Sequence, residues 1–385
     1  MLTGAGPNGF TVATRDRDEL FRLRDLGFGV LSDDEPTRRL ACEAVWHEVD
    51  IGSARYPRLA RHIRLRLRMP EVQHYVPRFL LRRFATQDQV YVFDKHHDRS
   101  FVSNVRNLAG ESGFYDFEHS GNTLSLEPAL QSIEDATAPI IVEICRRAEM
   151  GFLTTPERSA LALFAAIQLL RVRSIRESMD AVTHQLREHL RALGADPDTV
   201  PQLQDPEGTG TRLGSIAALL DARELVPHFL DKHWLLFQAA PDEHFYIGDS
   251  PIARHNELNT NPLRGTLGVA VPGIEIYLPI DPRFTIGFMC PTIRAMYDDT
   301  YQKSLRIKVD TGVELPFHDH VGAIRDGFNL GFPVVISSEH VKRLNSLQVI
   351  EAARFVMAAK MEFGLAQRMV SEHPELRTAR VPRVQ

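Results

Sequence analysis

The sequence predicts an α+β fold: an α-rich body of long helices packed on a modest, mainly antiparallel sheet. Two patterns carry this expectation. Apolar residues recur at helical spacing over long stretches, notably 155–193 and 337–369. Short runs rich in β-formers and bounded by turn residues (VYVFDK, WLLFQAA, HFYIGDSPI, GIEIYLPI and RFTIGFMC) read as strands. The last four are spaced as an antiparallel meander with one wide loop, ARHNELNTNPLRGTLGVAVP.

The bulk properties set bounds. A chain of 385 residues exceeds the roughly 250–300 that one hydrophobic core supports. Residues 1–70 are therefore expected to form an additional N-terminal segment, partly helical and basic at its end, and 71–385 the main domain. Hydrophobic content of 43% and charged content of 25% are ordinary for a globular chain. No run approaches the ~18 apolar residues of a membrane span, so no membrane partner is expected. The opening MLTGAGPNGFTVATRDRDEL lacks a basic flank followed by an apolar stretch, which argues against a secretory signal. Cys42, Cys145 and Cys290 are odd in number, far apart and outside any CxxC pair. That favours a reducing, cytoplasmic setting over a disulfide framework. A net charge of −5 gives no global attraction to nucleic acid, so such binding requires a local patch.

Along the chain, DRDELFRLRDLG and DEPTRRLACEAVWHEV carry helical spacing, while RLARHIRLRLR reads as strand or helix equally well. FLLRRFA is helical, with Phe79, Leu80 and Phe84 on one face and Arg82 and Arg83 turned away. VYVFDK and FVSNV form a hairpin around HHDRS, and GESGFYDF is a loop leading to a further strand. A helix over about 128–150 contains Pro139, which demands a kink or a break. The helix from 155 to about 193 is expected to be capped by Thr155 with Pro156 in its first turn. Residues 196–212 are a Pro/Gly/Asp-rich connector, followed by helical ELVPHFLDKH. The C-terminal 337–369 stretch begins with a Ser-Ser-Glu cap signal and reads as one long amphipathic helix.

The sequence holds no HExxH, no Walker A loop, no GxSxG, and no GxGxxG followed by a suitable acidic residue, which disfavours ATP, NAD and serine-hydrolase chemistry. His96-His97 and His318-x-His320 lack carboxylates at ligand spacing and read as solvated loop histidines.

Other residues point to chemistry. In VQHYVPRFLLRRFA, His74 precedes a helix start, a position that lowers an imidazole pKa and suits a base or metal ligand. Glu134 and Asp135 sit among apolar helical residues and need partners if buried. Gln168 and Arg171 are neighbours on the 155–193 helix and interrupt an apolar run; an inward Arg171 must meet a carboxylate, Glu134 first. Asp249 ends a strand before Ser250-Pro251, where the sheet fixes a carboxylate's direction. Finally, Arg58, Arg61, Arg64, Arg66, Arg68, Arg78, Arg82 and Arg83 face only Glu71 over their window. Phosphate is the natural partner of such a patch.

These boxes, with SGFY, SIEDATAPII, AIQLLRVRSIRE, FYIGDSPI, IYLPIDP and KRLNSLQVIEAAR in the same order, resemble the bacterial domain of unknown function 4238 family over about 72–354. The resemblance implies no activity.

The residues themselves suggest a hydrolase acting on a phosphodiester or other phosphorylated substrate, nuclease-like and of the kind found in bacterial defence or toxin systems. His74, Glu134 and Asp249 would hold a divalent metal or activate water, with Arg171 neutralising charge. Arg78, Gln168, Arg82 and Arg83 would bind substrate. Nucleic acid or a phosphorylated ligand would dock on the arginine-rich stretch 58–83. The alternative is a non-catalytic binding protein in which the same polar residues form a structural network.

Overall fold

The computed structural model describes residues 2–6, 9–12, 72–119, 122–200, 203, 210–258 and 266–379. The two helices expected before residue 50, the arginines from 58 to 68, Cys42 and residues 201–202 and 204–209 of the 196–212 connector lie outside the described residues. β1 (Leu2–Gly6) and β2 (Gly9–Val12) pair antiparallel.

The expected α+β architecture is present. β3 (Val72–His74) leads through Pro77 into α1 (Arg78–Arg83), whose Leu80 and Leu81 are buried together with Phe84 just beyond it. Phe79 packs on Phe164 with ring centroids 5.6 Å apart. β4 (Gln89–Asp94) and β5 (Arg99–Asn104) form the expected hairpin. β6 (Gly110–Ser112) pairs with β3, and β7 (Asp116–His119) with β8 (Asn122–Ser125). α2 (Glu127–Arg147) runs on through Pro139 without a break.

The helix expected over 155–193 is two helices, α3 (Thr155–Leu170) and α4 (Arg173–Ala192). Between them Val172 is extended (φ −85°, ψ 154°). The chain turns there because Arg171 satisfies partners that a straight helix would not reach, namely Glu134 by its guanidinium and the Tyr115 hydroxyl by its carbonyl. The α3 cap is Thr154, one residue earlier than expected: its Oγ1 accepts the Glu157 N–H, and Glu157 accepts the Thr154 N–H at 2.8 Å. α3 is buried almost all round from Leu161 to Leu169, as a central helix should be. α5 (Gly210–Leu220) and α6 (Val226–Leu230) follow.

The strand run is not one meander. β9 (His233–Ala239), β11 (Ala253–His255), β12 (Glu275–Asp281) and β13 (Phe284–Met289) share a five-stranded sheet of order β11-β12-β13-β9-β14, in which β14 (Pro333–Ile336) runs parallel to β9. β10 (Ile247–Gly248) instead joins a second sheet, order β10-β15-β4-β5. Its partner β15 (Phe355–Ala358) lies inside the stretch read as one C-terminal helix. That stretch is α9 (Ser338–Glu351), then β15, then α10 (Gly364–Glu372).

The two faces of the five-stranded sheet differ. Trp234, Leu236, Ile286 and Phe288 turn into the helical body, where the Arg158 guanidinium of α3 lies 4.3 Å from the Trp234 ring centroid. Leu235, Phe237, Tyr277 and Met289 alternate to the other face. That face is covered by α7 (Pro291–Thr311), α8 (His318–Leu330) and α9. α8 comes close at Gly327, where a Cβ would stand 2.8 Å from Leu235 and 2.9 Å from Val334. Among the described residues no helix is long and apolar enough to cross a membrane.

Candidate functional site

Between this sheet face and helices α7, α8 and α9 lies a cleft of about 320 Å³, at the small end of the range for ligand sites. Its floor exists because residue 287 is glycine. A Cβ there would fall 2.5 Å from the Phe237 ring and 2.6 Å from the Met289 methyl, so only a bare backbone lets Phe237 lie across β13 beside Tyr277. The Phe237 and Tyr277 ring centroids are 5.9 Å apart. The apolar lining includes Leu235, Met289, Ile293, Met296 and Ile324.

Polar groups reach the same space. Glu275 and Tyr277, two apart on β12, share a face, and the Tyr277 hydroxyl donates to the Glu275 carboxylate. Burial, then the adjacent Glu275 charge, pushes the phenols of Tyr277 and Tyr297 above their ordinary range. Across the cleft Arg343 of α9 pairs with Glu257, which His255 also approaches at 3.2 Å. His320 and His340 stack with centroids 6.1 Å apart, and burial lowers the His320 pKa.

The residues singled out from sequence lie elsewhere, in two groups. In the first, Arg171 is buried and its Nη1 donates to Glu134 at 2.8 Å, the carboxylate expected for it. Arg171 Nε donates to Gln168 at 2.9 Å, and Gln168 Nε2 donates to the Tyr75 carbonyl at 2.8 Å. Arg171 Nη2 has no hydrogen-bond partner among the described residues and borders a void of about 10 Å³ lined also by Arg176 and Ser215. That is room for about one water molecule. His74 stands beside this group, half-buried, its Nε2 donating to the Arg106 carbonyl at 3.1 Å. Its pKa is lowered, as expected, but burial rather than a helix terminus is the main cause.

Asp249 belongs to the second group. It is 1% exposed, and its two oxygens accept the backbone N–H groups of Ala353 at 2.7 Å, Arg354 at 3.0 Å and Phe355 at 2.9 Å. Burial pushes its pKa up, against the pull of those N–H donors and of Lys95. Lys95, fully buried, donates to the carbonyls of Val349 and Ala352 at the end of α9, and burial brings its pKa down to about 8. Beside it Asp94 accepts two hydrogen bonds from Arg354 and one from His97.

His74, Glu134 and Asp249 thus face different partners. Among the described residues no three His, Cys, Asp or Glu side chains are placed to hold one metal ion. Of the arginines described, Arg82 pairs with Asp88 at 3.0 Å, while Arg83, expected to turn away, is half-buried on Asp281 at 2.7 Å. Arg78 Nε is buried without a partner among the described residues. His318, expected on a solvated loop, is buried on α8, hydrogen-bonded to Ser304 at 2.8 Å and stacked on Tyr301.

A model of the family described as "Protein of unknown function (DUF4238)" matches residues 72–362. The chain belongs to the DUF4238 family. No curated protein and no solved structure matches it. In this DUF4238 chain the matched span includes both groups above and every residue lining the cleft. Sequence reasoning passed over the cleft. The available signal was the period-two alternation of EIYLPID, which puts Glu275 and Tyr277 on one face of a strand whose other face, Ile276 and Leu278, is apolar.

Proposed function

We propose that this DUF4238 protein binds a small amphipathic molecule in the cleft between the five-stranded sheet and α7, α8 and α9. In this reading Gln168, Arg171, Glu134 and Asp249 form the scaffold that holds the helices around the two sheets. The observation that carries it is the cleft itself, where an apolar floor meets Glu257, Glu275, Arg343 and two histidines within about 320 Å³. Enclosed apolar space with a few convergent polar groups is what small-molecule sites share.

Phosphodiester hydrolysis at His74, Glu134 and Asp249 finds less support. Asp249 spends both oxygens on three backbone donors. The void beside Arg171, at about 10 Å³, suits a water and is too small for a phosphoryl group.

Saturation-transfer NMR against a library of small amphipathic molecules tests the binding reading, comparing the wild type with Ile324→Trp, which fills the cleft. Hits that vanish in a folded Ile324→Trp variant support it. Hits that persist in that variant, or a library without hits, count against it.

A further inference from the structure

The charges around the cleft are unequally matched. Arg343 and His255 both engage Glu257. Glu275 instead receives the neutral Tyr277 hydroxyl, and among the described residues no lysine or arginine pairs with it. Glu275 is half-buried against apolar neighbours. A carboxylate in such a place is stabilised by a cation, and the described residues pair none with it.

Aromatic rings line the same cleft. Tyr277 is the neighbour of Glu275 on the strand, Phe237 packs 5.9 Å from Tyr277 centroid to centroid, and Tyr297 of α7 lines the cleft from the opposite side. Ring faces attract alkylammonium groups through their quadrupoles, most strongly when the site is desolvated. Among the described lining residues, an anion would meet Glu257 and Glu275, with Arg343, already paired, and the imidazoles of His320 and His340 in its favour.

Resting on the binding reading above, we infer that the cleft takes an organic ammonium ion with an apolar body. The charged head sits between Glu275 and the rings of Phe237, Tyr277 and Tyr297, and the body lies along Leu235, Met289 and Ile324.

Isothermal titration of the full chain at low ionic strength with three six-carbon probes tests this: hexyltrimethylammonium, hexanesulfonate and hexanol. The ammonium should bind, and the sulfonate should not. Glu275→Gln, which keeps a hydrogen-bond acceptor for Tyr277, should weaken the ammonium at least tenfold. Tyr297→Leu should weaken it about threefold to tenfold, and Ile324→Trp should abolish it. Thermal melts of each variant separate lost binding from lost fold. Sulfonate or hexanol binding as well as the ammonium, with Ile324→Trp abolishing it, would overturn the ammonium class while leaving the cleft reading intact. Ammonium binding that is unchanged in Glu275→Gln, or that survives in Ile324→Trp, would overturn the inference. So would no binding of the ammonium, and in that case the NMR library judges the cleft separately.

Discussion

Asp249 accepts the backbone N–H of Arg354 at 3.0 Å across 105 residues of chain, with the N–H groups of Ala353 and Phe355 on the same carboxylate. From the other side, Lys95 takes the carbonyls of Val349 and Ala352. Between them these two buried side chains end α9 and start β15.

Asp249→Ala should therefore act on stability. It strands three backbone N–H groups and removes the more strongly acting of the two carboxylate charges, Asp249 and Glu351, that offset buried Lys95, a loss of about 3–5 kcal/mol. Urea unfolding followed by circular dichroism measures this. A variant as stable as the wild type would show that Asp249 is not a structural anchor.

Glu134 and Arg171 form a pair whose side chains are 15% and 1% exposed. Glu134→Gln leaves a buried guanidinium uncompensated and should cost about 3 kcal/mol or more. The double variant Glu134→Leu/Arg171→Met removes both charges and should lose less than Glu134→Gln alone. A double-mutant cycle of unfolding free energies over Glu134→Leu, Arg171→Met and the double variant decides it, and additive losses would contradict a coupled pair.

At Gly287 a Cβ stands 2.5 Å from the Phe237 ring. Gly287→Ala should force Phe237 into the cleft at a cost of about 1–3 kcal/mol. Ligand signals in the NMR assay should weaken in proportion, whereas full binding by Gly287→Ala would mean that the floor does not shape the site.

Asp94 supplies a pH dependence. Burial raises its pKa, but hydrogen bonds from Arg354 and His97 outweigh burial and hold it well below the usual carboxylate range. A carboxylate depressed in the folded state stabilises the fold above its unfolded pKa of about 3.9. That contribution is lost as pH falls through and below this value. Between pH 5 and pH 2 the wild type should lose more stability than Asp94→Asn, and parallel thermal-melt profiles for the two would refute the assignment.

Much of the architecture was legible from sequence where local pattern and tertiary demand agree. The β4–β5 hairpin, α1, the strands β9, β12 and β13, and the Arg171–Glu134 pairing all follow from periodicity or from the need of a buried charge for a partner. Where they disagree, tertiary structure prevailed. The apolar period of 337–369 continues through Ala352, Ala353 and Phe355, so nothing local marks the switch to β15. Asp249 and Lys95, more than 90 residues away, impose it. Likewise the turn at Arg171 and Val172 answers to Glu134 and Tyr115 on other elements.

The cleft was hidden for the same reason. Glu257, Glu275, Tyr297, His320 and Arg343 come from five separate segments, and only the stacking of α7, α8 and α9 on one sheet face brings them within reach of one ligand. The fold class, the strands and helices with strong periodicity, and the need of buried charges for partners are written in the chain itself, because these depend on near neighbours or on the cost of desolvation. Where helices stop, which sheet each strand joins and where the cleft lies emerge only on folding, because those outcomes depend on groups that are distant in the chain and adjacent only once it has folded.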